Sequence, residues 1–274
     1  CGLTDDDIRV LCRGVTGNPE SALATLNLGY NSVTTAGARV LADCCCKARA
    51  LRTLTLGSSK LPVRKIYEAG EKWGGAVNLS DLSVGPLSAI VVGLVARRSG
   101  AITSLDVSGN VLRKEGTDFL CKELAHEEQF VRLDISRNEI FPSGASSVAT
   151  ILRGAGGGLE WLSLADNNIT NWAKETHALG TIVSAAQDCG TLKVLNLEGN
   201  VLQDEGAACV AELIANSPCL EELNLSRAQI ASDGGMALGD AIARAGKNSC
   251  LKVLNLGNNS LGSRGATVSR KSEF

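Results

Sequence analysis

Two histidines and ten cysteines are the residues of this 274-residue chain best suited to nucleophilic, acid–base or metal chemistry. A nucleophile needs a base within hydrogen-bond reach and a third group to orient that base. His126 and His177 stand far apart in the sequence, and no spacing assembles a nucleophile–His–acid set around either. Cys44, Cys45 and Cys46 are consecutive, but adjacent thiols rarely point at one centre, and no CxxC pair or nearby His completes four ligands. The remaining cysteines do not read as a disulfide framework; they read as small buried hydrophobes of a reducing, cytoplasmic compartment. The Gly-rich run at 154–158 follows a helical pattern and precedes a strand pattern, the reverse of a phosphate-cradling loop, and no Gly-Lys-Ser/Thr follows it. No catalytic, cofactor-binding or metal-binding residue is therefore expected.

Composition narrows the classes further. Twenty-seven Lys and Arg against 29 Asp and Glu provide no positive field for nucleic acid, and no apolar run is long enough for a membrane span. Glycine is abundant at 30 residues and aromatics make up only 3 %.

A period accounts for both oddities. LATLNLGYN at 23–31 recurs as LRTLTLGSS at 51–59, ITSLDVSGN at 102–110, FVRLDISRN at 130–138 and LEWLSLADN at 159–167. It continues as LKVLNLEGN at 192–200, LEELNLSRA at 220–228 and LKVLNLGNN at 251–259, with a degenerate GGAVNLSDL at 74–82. The central apolar residues are Leu26, Leu54, Val77, Leu105, Leu133, Leu162, Leu195, Leu223 and Leu254, spaced by 28, 23, 28, 28, 29, 33, 28 and 31. Alternation around each centre predicts a short strand with one buried face, and the second half of each unit carries apolar residues at helical spacing. One strand and one helix cannot bury a face alone, so the units must stack into one elongated core. A Gly recurs eleven residues beyond the centre, at Gly37, Gly116, Gly144, Gly206, Gly234 and Gly265. Asn31, Asn110, Asn138, Asn167, Asn200 and Asn259 fall five beyond it, where an amide can satisfy the backbone groups of adjacent turns as a ladder.

The pattern L-x-x-L-x-L-x-x-N with a downstream Gly resembles the leucine-rich repeat of the ribonuclease-inhibitor type over nearly the whole chain. The resemblance implies an α/β fold: a right-handed solenoid or horseshoe with a parallel β-sheet on the concave face and α-helices on the convex face. Strands about 4.8 Å apart against helices about 10 Å apart make such a stack curve. Residues 1–274 then form a single domain of about nine repeats with partial terminal units. The chain reads as starting inside a repeat, with a short helical cap over DDDIRVLCRGV as the rival reading. It reads as ending within the last helix half, an open edge that a longer chain or a larger assembly would cover. Two units break the period. The one around 59–82 is short and lacks both Asn and Gly, and the one between Leu162 and Leu195 is long and holds Trp172 and His177. Ala228 replaces an Asn, which predicts a weaker or water-bridged turn there.

Strand residues on either side of each centre face the open concavity. Most are small and polar; the exceptions are Arg132, Asp134 and Arg137 beside Trp161 and Asp166, then Glu198, Glu222 and Arg227. Trp flanked by Arg and carboxylates has the composition of a binding hot spot. The expected function is a non-enzymatic protein–protein interaction module or scaffold using this patch, with protein partners, no nucleic acid and no membrane insertion. Alternatives are a regulator of a small GTPase, since a family of Ran GTPase-activating proteins is similar in repeat type, a sensor portion of a larger receptor, and a structural component of an assembly.

Overall fold

The computed structural model describes residues 2–127, 129–154 and 158–262. Most described units contribute one strand and one helix in the expected order, and the unit centred on Leu54 has two strands and two short helices. The helices are α1 (Asp5–Gly17), α2 (Thr35–Lys47), the short α3 (Val63–Tyr67) and α4 (Ala69–Trp73), α5 (Pro86–Ser99) and α6 (Arg113–Leu124). They continue with α7 (Phe141–Leu152), α8 (His177–Asp188), α9 (Gln203–Asn216) and α10 (Ser232–Ala245). The strands are β1 (Thr25–Leu28), β2 (Thr53–Leu56), β3 (Ser59–Leu61), β4 (Ala76–Asn78) and β5 (Ser104–Asp106). They end with β6 (Arg132–Asp134), β7 (Trp161–Ser163), β8 (Val194–Asn196), β9 (Glu222–Asn224) and β10 (Val253–Asn255).

Strands β4 to β10 form one parallel seven-stranded sheet in sequential order. Their central residues stand in register, with Leu133 opposite Leu162, Leu162 opposite Leu195 and Leu195 opposite Leu223. Along one strand segment Leu192, Leu195 and Leu197 all point into the core and are buried, whereas Val194 and Asn196 point away and are half-buried. This alternation places the core between sheet and helices and leaves the other sheet face open. Successive helices pack side by side on the convex side, α5 on α6, α6 on α7 and α9 on α10. The architecture is an α/β leucine-rich-repeat solenoid.

The recurrent glycine sits within the first helical turn, where neighbouring helices approach. A Cβ on Gly144 would stand 3.0 Å from the Lys114 Cα and 2.8 Å from an Ile140 methyl. Its role is close helix packing rather than turn geometry.

The sheet is not continuous through all the units. After β2 the chain folds back, and β3 pairs antiparallel with it, closing a separate three-stranded sheet of β1, β2 and β3. This is the short unit lacking Asn and Gly. Ser59, at its Asn position, and Ser88, at the Gly position of the following unit, bind each other, with Ser88 Oγ donating to Ser59 Oγ at 2.8 Å and Ser59 Oγ donating to the Ser83 carbonyl at 2.6 Å. The convex layer bridges the break, because α2 packs directly on α5.

Asparagines repeat one bonding scheme through most of the stack. Asn138 Nδ2 donates to the carbonyls of Val107 (2.9 Å) and Ile135 (3.1 Å), and its Oδ1 accepts the Leu112 N–H (3.2 Å). Its own N–H donates to Asn167 Oδ1 at 2.7 Å, linking one rung to the next. At Ala228 the backbone replaces the amide: the Ala228 carbonyl accepts the N–H groups of Leu202 and Gln203, and its own N–H reaches Asn259 Oδ1.

The N-terminal segment bonds like the corresponding part of a repeat. The Leu3 N–H donates to Asn31 Oδ1, and Asp5 accepts from the Thr34 N–H and hydroxyl. The final segment from 263 onward, with Gly265, and residues 155–157 of the Gly-rich run lie outside the described residues.

Candidate functional site

Two rows of side chains line the open sheet face. One runs Ala76, Ser104, Arg132, Trp161, Val194, Glu222, Val253, and the other Asn78, Asp106, Asp134, Ser163, Asn196, Asn224, Asn255. The second row is largely committed to the fold. Asp134 Oδ1 accepts the N–H (3.0 Å) and hydroxyl (2.6 Å) of Ser136, and Asn196 and Asn224 likewise accept the N–H groups two residues on. These Asx turns end each strand.

The first row carries the distinctive pair. Arg132 and Trp161 are direct cross-strand partners, and the Arg132 guanidinium carbon lies 3.3 Å from the centroid of the Trp161 ring. Such stacking of a planar cation on an indole contributes about 0.5–2 kcal/mol, depending on desolvation. Among the described residues Arg132 makes no ion pair, nor does Glu222, which is separated from Trp161 by Val194. Trp161 is half-buried, and Arg132 and Glu222 are exposed.

Arg137, Asp166 and Arg227 stand apart from this row, at the turn position four residues beyond each centre. All three have left-handed backbone, with φ of 54°, 52° and 55°. Arg227 Nη2 meets Asp166 Oδ2 at 2.8 Å, and its Nε meets Glu198 Oε1 at 3.0 Å. These two carboxylates raise the Arg227 pKa and hold the group protonated. Arg137 joins neither cluster; it turns to Asp81, 3.6 Å away on the same rim. The eight residues singled out from sequence thus divide into the Arg132–Trp161 stack with Glu222 further along, Asp134 in its Asx turn, and two ion-pair clasps on the rim. Asp81 was missed. Its partner lies two repeats away, and only the shared turn position, four beyond Val77 and four beyond Leu133, signals the pairing.

Asp118, His126 and Ser147 line one convex groove, the closest approach to a triad composition. Ser147 donates directly to Asp118, and Lys114 Nζ holds the other Asp118 oxygen at 2.8 Å. That order puts no imidazole between hydroxyl and carboxylate, so the base–orienter relay of a triad is not set up. Among the described residues no group of three His, Cys, Asp or Glu is arranged to hold a metal ion, and no helix is long and apolar enough to cross a membrane. The described cysteines are all free thiols. Cys219 Sγ donates to the Cys189 and Leu192 carbonyls, and Cys250 Sγ to that of Pro218, so their equal phase serves packing.

The family model described as "Leucine Rich repeat" matches residues 189–211, 216–239 and 247–268. The chain is 28 % identical over 222 residues to the ribonuclease inhibitor of Sus scrofa, covering 81 % of this chain and 42 % of that protein. It is 25 % identical over 217 residues to human NACHT, LRR and PYD domains-containing protein 13, covering 79 % of this chain and 18 % of that protein. It is 27 % identical over 128 residues to RAN GTPase-activating protein 2 of Arabidopsis thaliana, covering 47 % of this chain and 23 % of that protein. The chain thus spans less than half the length of each of these relatives.

Proposed function

We propose that this leucine-rich-repeat chain is a non-enzymatic protein-interaction module or scaffold, of the ribonuclease-inhibitor repeat type, which holds a folded partner against its open sheet face. Residues 1–274 act as one domain in this reading, and the free, largely buried thiols suit a cytoplasmic setting. The observation that carries the proposal is the Arg132–Trp161 stack on a sheet face whose other side chains are mostly small and polar. Trp and Arg are enriched among residues that dominate binding energy, because both bring large contact area with directed polar groups. Arg137, Asp166, Glu198 and Arg227 shape the rim beside that face, and Asp134 and Glu222 supply carboxylates within it.

Affinity capture from native lysate tests this reading, using wild-type bait and a bait carrying Trp161→Ala with Arg132→Glu. Specific partners retained by the wild type and lost by the variant support it. Equal recovery of the same partners by both baits overturns it.

A second reading, regulation of a small GTPase, draws support from the likeness to RAN GTPase-activating protein 2 over 128 residues. Its measurement is the rate of GTP hydrolysis by Ran with and without the chain; an unchanged rate removes it.

A further inference from the structure

The first row of the open sheet face has an order: cation, indole, aliphatic, anion, in Arg132, Trp161, Val194 and Glu222, each on its own strand. The two charged ends stand outside the ion pairs around them. Arg137 and Arg227 are neutralised by Asp81, Asp166 and Glu198, and Lys193 and Lys252 by Glu160 and Glu221. Arg132 and Glu222 make no ion pair among the described residues. Stacking occupies only the flat face of the guanidinium, and its planar fork of N–H donors remains the part that binds a carboxylate in two-point fashion. Three strand steps of about 4.8 Å put Arg132 and Glu222 about 14 Å apart.

We propose that this row reads a partner helix presenting acid, apolar, apolar and base in that order along one face: a carboxylate on Arg132, aliphatic groups over Trp161 and Val194, and an ammonium or guanidinium on Glu222. The inference rests on the proposed use of the concave face and adds the chemistry and polarity of what lies there. Positions i, i+4, i+7 and i+11 of a helix share a face and span about 16 Å, which long side chains fit to the row. Charge also selects against a polyanion. Asp106 and Asp134 lie beside Arg132 in the adjacent row, so one carboxylate is accommodated where a run of phosphates is repelled.

The test uses the 274-residue chain and two fluorescently labelled, lactam-stapled helical peptides of identical composition. The forward peptide carries Glu, Leu, Leu and Lys at i, i+4, i+7 and i+11 with a further Lys at i+2 on the opposite face, and the control exchanges the residues at i and i+2, so that Lys stands at both ends of its apolar pair. Each labelled peptide is titrated by fluorescence anisotropy at low salt. The forward peptide is expected to bind at least about tenfold more tightly, the equivalent of one well-placed charge-assisted contact of about 1.4 kcal/mol. Arg132→Glu, which leaves an anion at both ends of the row, should reverse the preference, whereas Glu222→Lys should weaken both peptides and keep it, results that a merely structural role for either residue would not produce. Trp161→Ala should weaken both peptides without inverting their order.

Equal binding of the two peptides that is nevertheless lost in Trp161→Ala overturns the charge order while leaving the concave face as a binding surface. Binding that ignores all three substitutions overturns the charge order and counts against the concave-face reading as well. No binding of either peptide up to millimolar concentration overturns the charge order, and the capture experiment then judges the face independently. Tighter, Arg132-dependent binding of an oligouridylate than of the forward peptide also overturns it, in favour of a nucleic-acid ligand.

Discussion

Arg227 reaches across two repeats to Asp166, closing Nη2 to Oδ2 at 2.8 Å directly over Gly199. The same arrangement occurs three units earlier, where Arg137 reaches Asp81 over Gly109. In each case acid, glycine and arginine occupy the same turn position of three successive repeats. Both glycines are left-handed, with φ of 65° and 68°, and a Cβ on either would lie 1.9 Å from the acid's Oδ1. The rim is therefore tied by clasps that skip a repeat, in addition to the nearest-neighbour contacts on which a solenoid ordinarily depends.

Gly199→Ala should cost more than Gly57→Ala. Both glycines have positive φ, but a Cβ on Gly57 meets nothing within 4 Å. Gly57→Ala then reports the backbone cost alone, about 1–2 kcal/mol. Gly199→Ala also displaces Asp166 from Arg227, adding up to about 1 kcal/mol for a half-exposed pair. Urea unfolding at low and at 1 M salt checks this: the excess should shrink in high salt, since screening removes only the ion-pair part.

The asparagine ladder gives a second comparison. Asn138→Ala removes two donors and one acceptor from buried backbone partners, so a loss on the order of 1–3 kcal/mol is expected. Ala228→Asn should change stability by less than about 0.5 kcal/mol in either direction, because the backbone around Ala228 is already paired. Chemical denaturation of the two variants against wild type measures both.

Periodic features were the legible ones. The strand centres, the helical halves and the Asn rungs repeat, so each copy reinforces the inference from the others, and Leu133 opposite Leu162 follows directly from the spacing. The adjacency of Arg132 and Trp161 was equally readable, because equal phase on neighbouring units means cross-strand pairing. Departures from the period were not. The fold-back of Ser59–Leu61 as an antiparallel strand is accompanied by the Ser59–Ser88 contact, and no spacing rule anticipates either. Arg137 sits close in sequence to Asp134, yet its left-handed turn directs it along the rim to Asp81. A rule that considers only adjacent repeats misses a side chain long enough to skip one.

Thiol reactivity should follow exposure. Cys250 is exposed, Cys46 and Cys209 are half-buried with burial raising their pKa values, and Cys121 is fully buried and pushed up to about 12 by desolvation. Only the thiolate attacks, so among the described cysteines Cys250 should be modified first by iodoacetamide at neutral pH, and Cys121 only after unfolding. Time-resolved alkylation with peptide mass mapping reads the order; early loss of Cys121 would mean that α6 is not packed as described.

Acid should loosen the contact between the N-terminal helix and the entrance of α2. Asp5 binds the Thr34 hydroxyl and N–H, contacts that hold its carboxyl below the ordinary value of 3.8, and Asp7 is lowered similarly by Thr4. A carboxylate with a lowered folded-state pKa stabilises the fold above its unfolded pKa, and that contribution disappears as pH falls through the folded value. The stabilisation from Asp5 is thus complete at neutral pH, starts to decline near 3.8 and is gone once pH passes below the lowered value. Asp5→Asn should lower the thermal midpoint at pH 7, and the gap to wild type should close as pH drops through that window. Circular dichroism melts of both proteins across the acid range provide the measurement, and a gap that persists unchanged at the lowest pH would show that the Asp5 charge does not tie α1 to the α2 entrance.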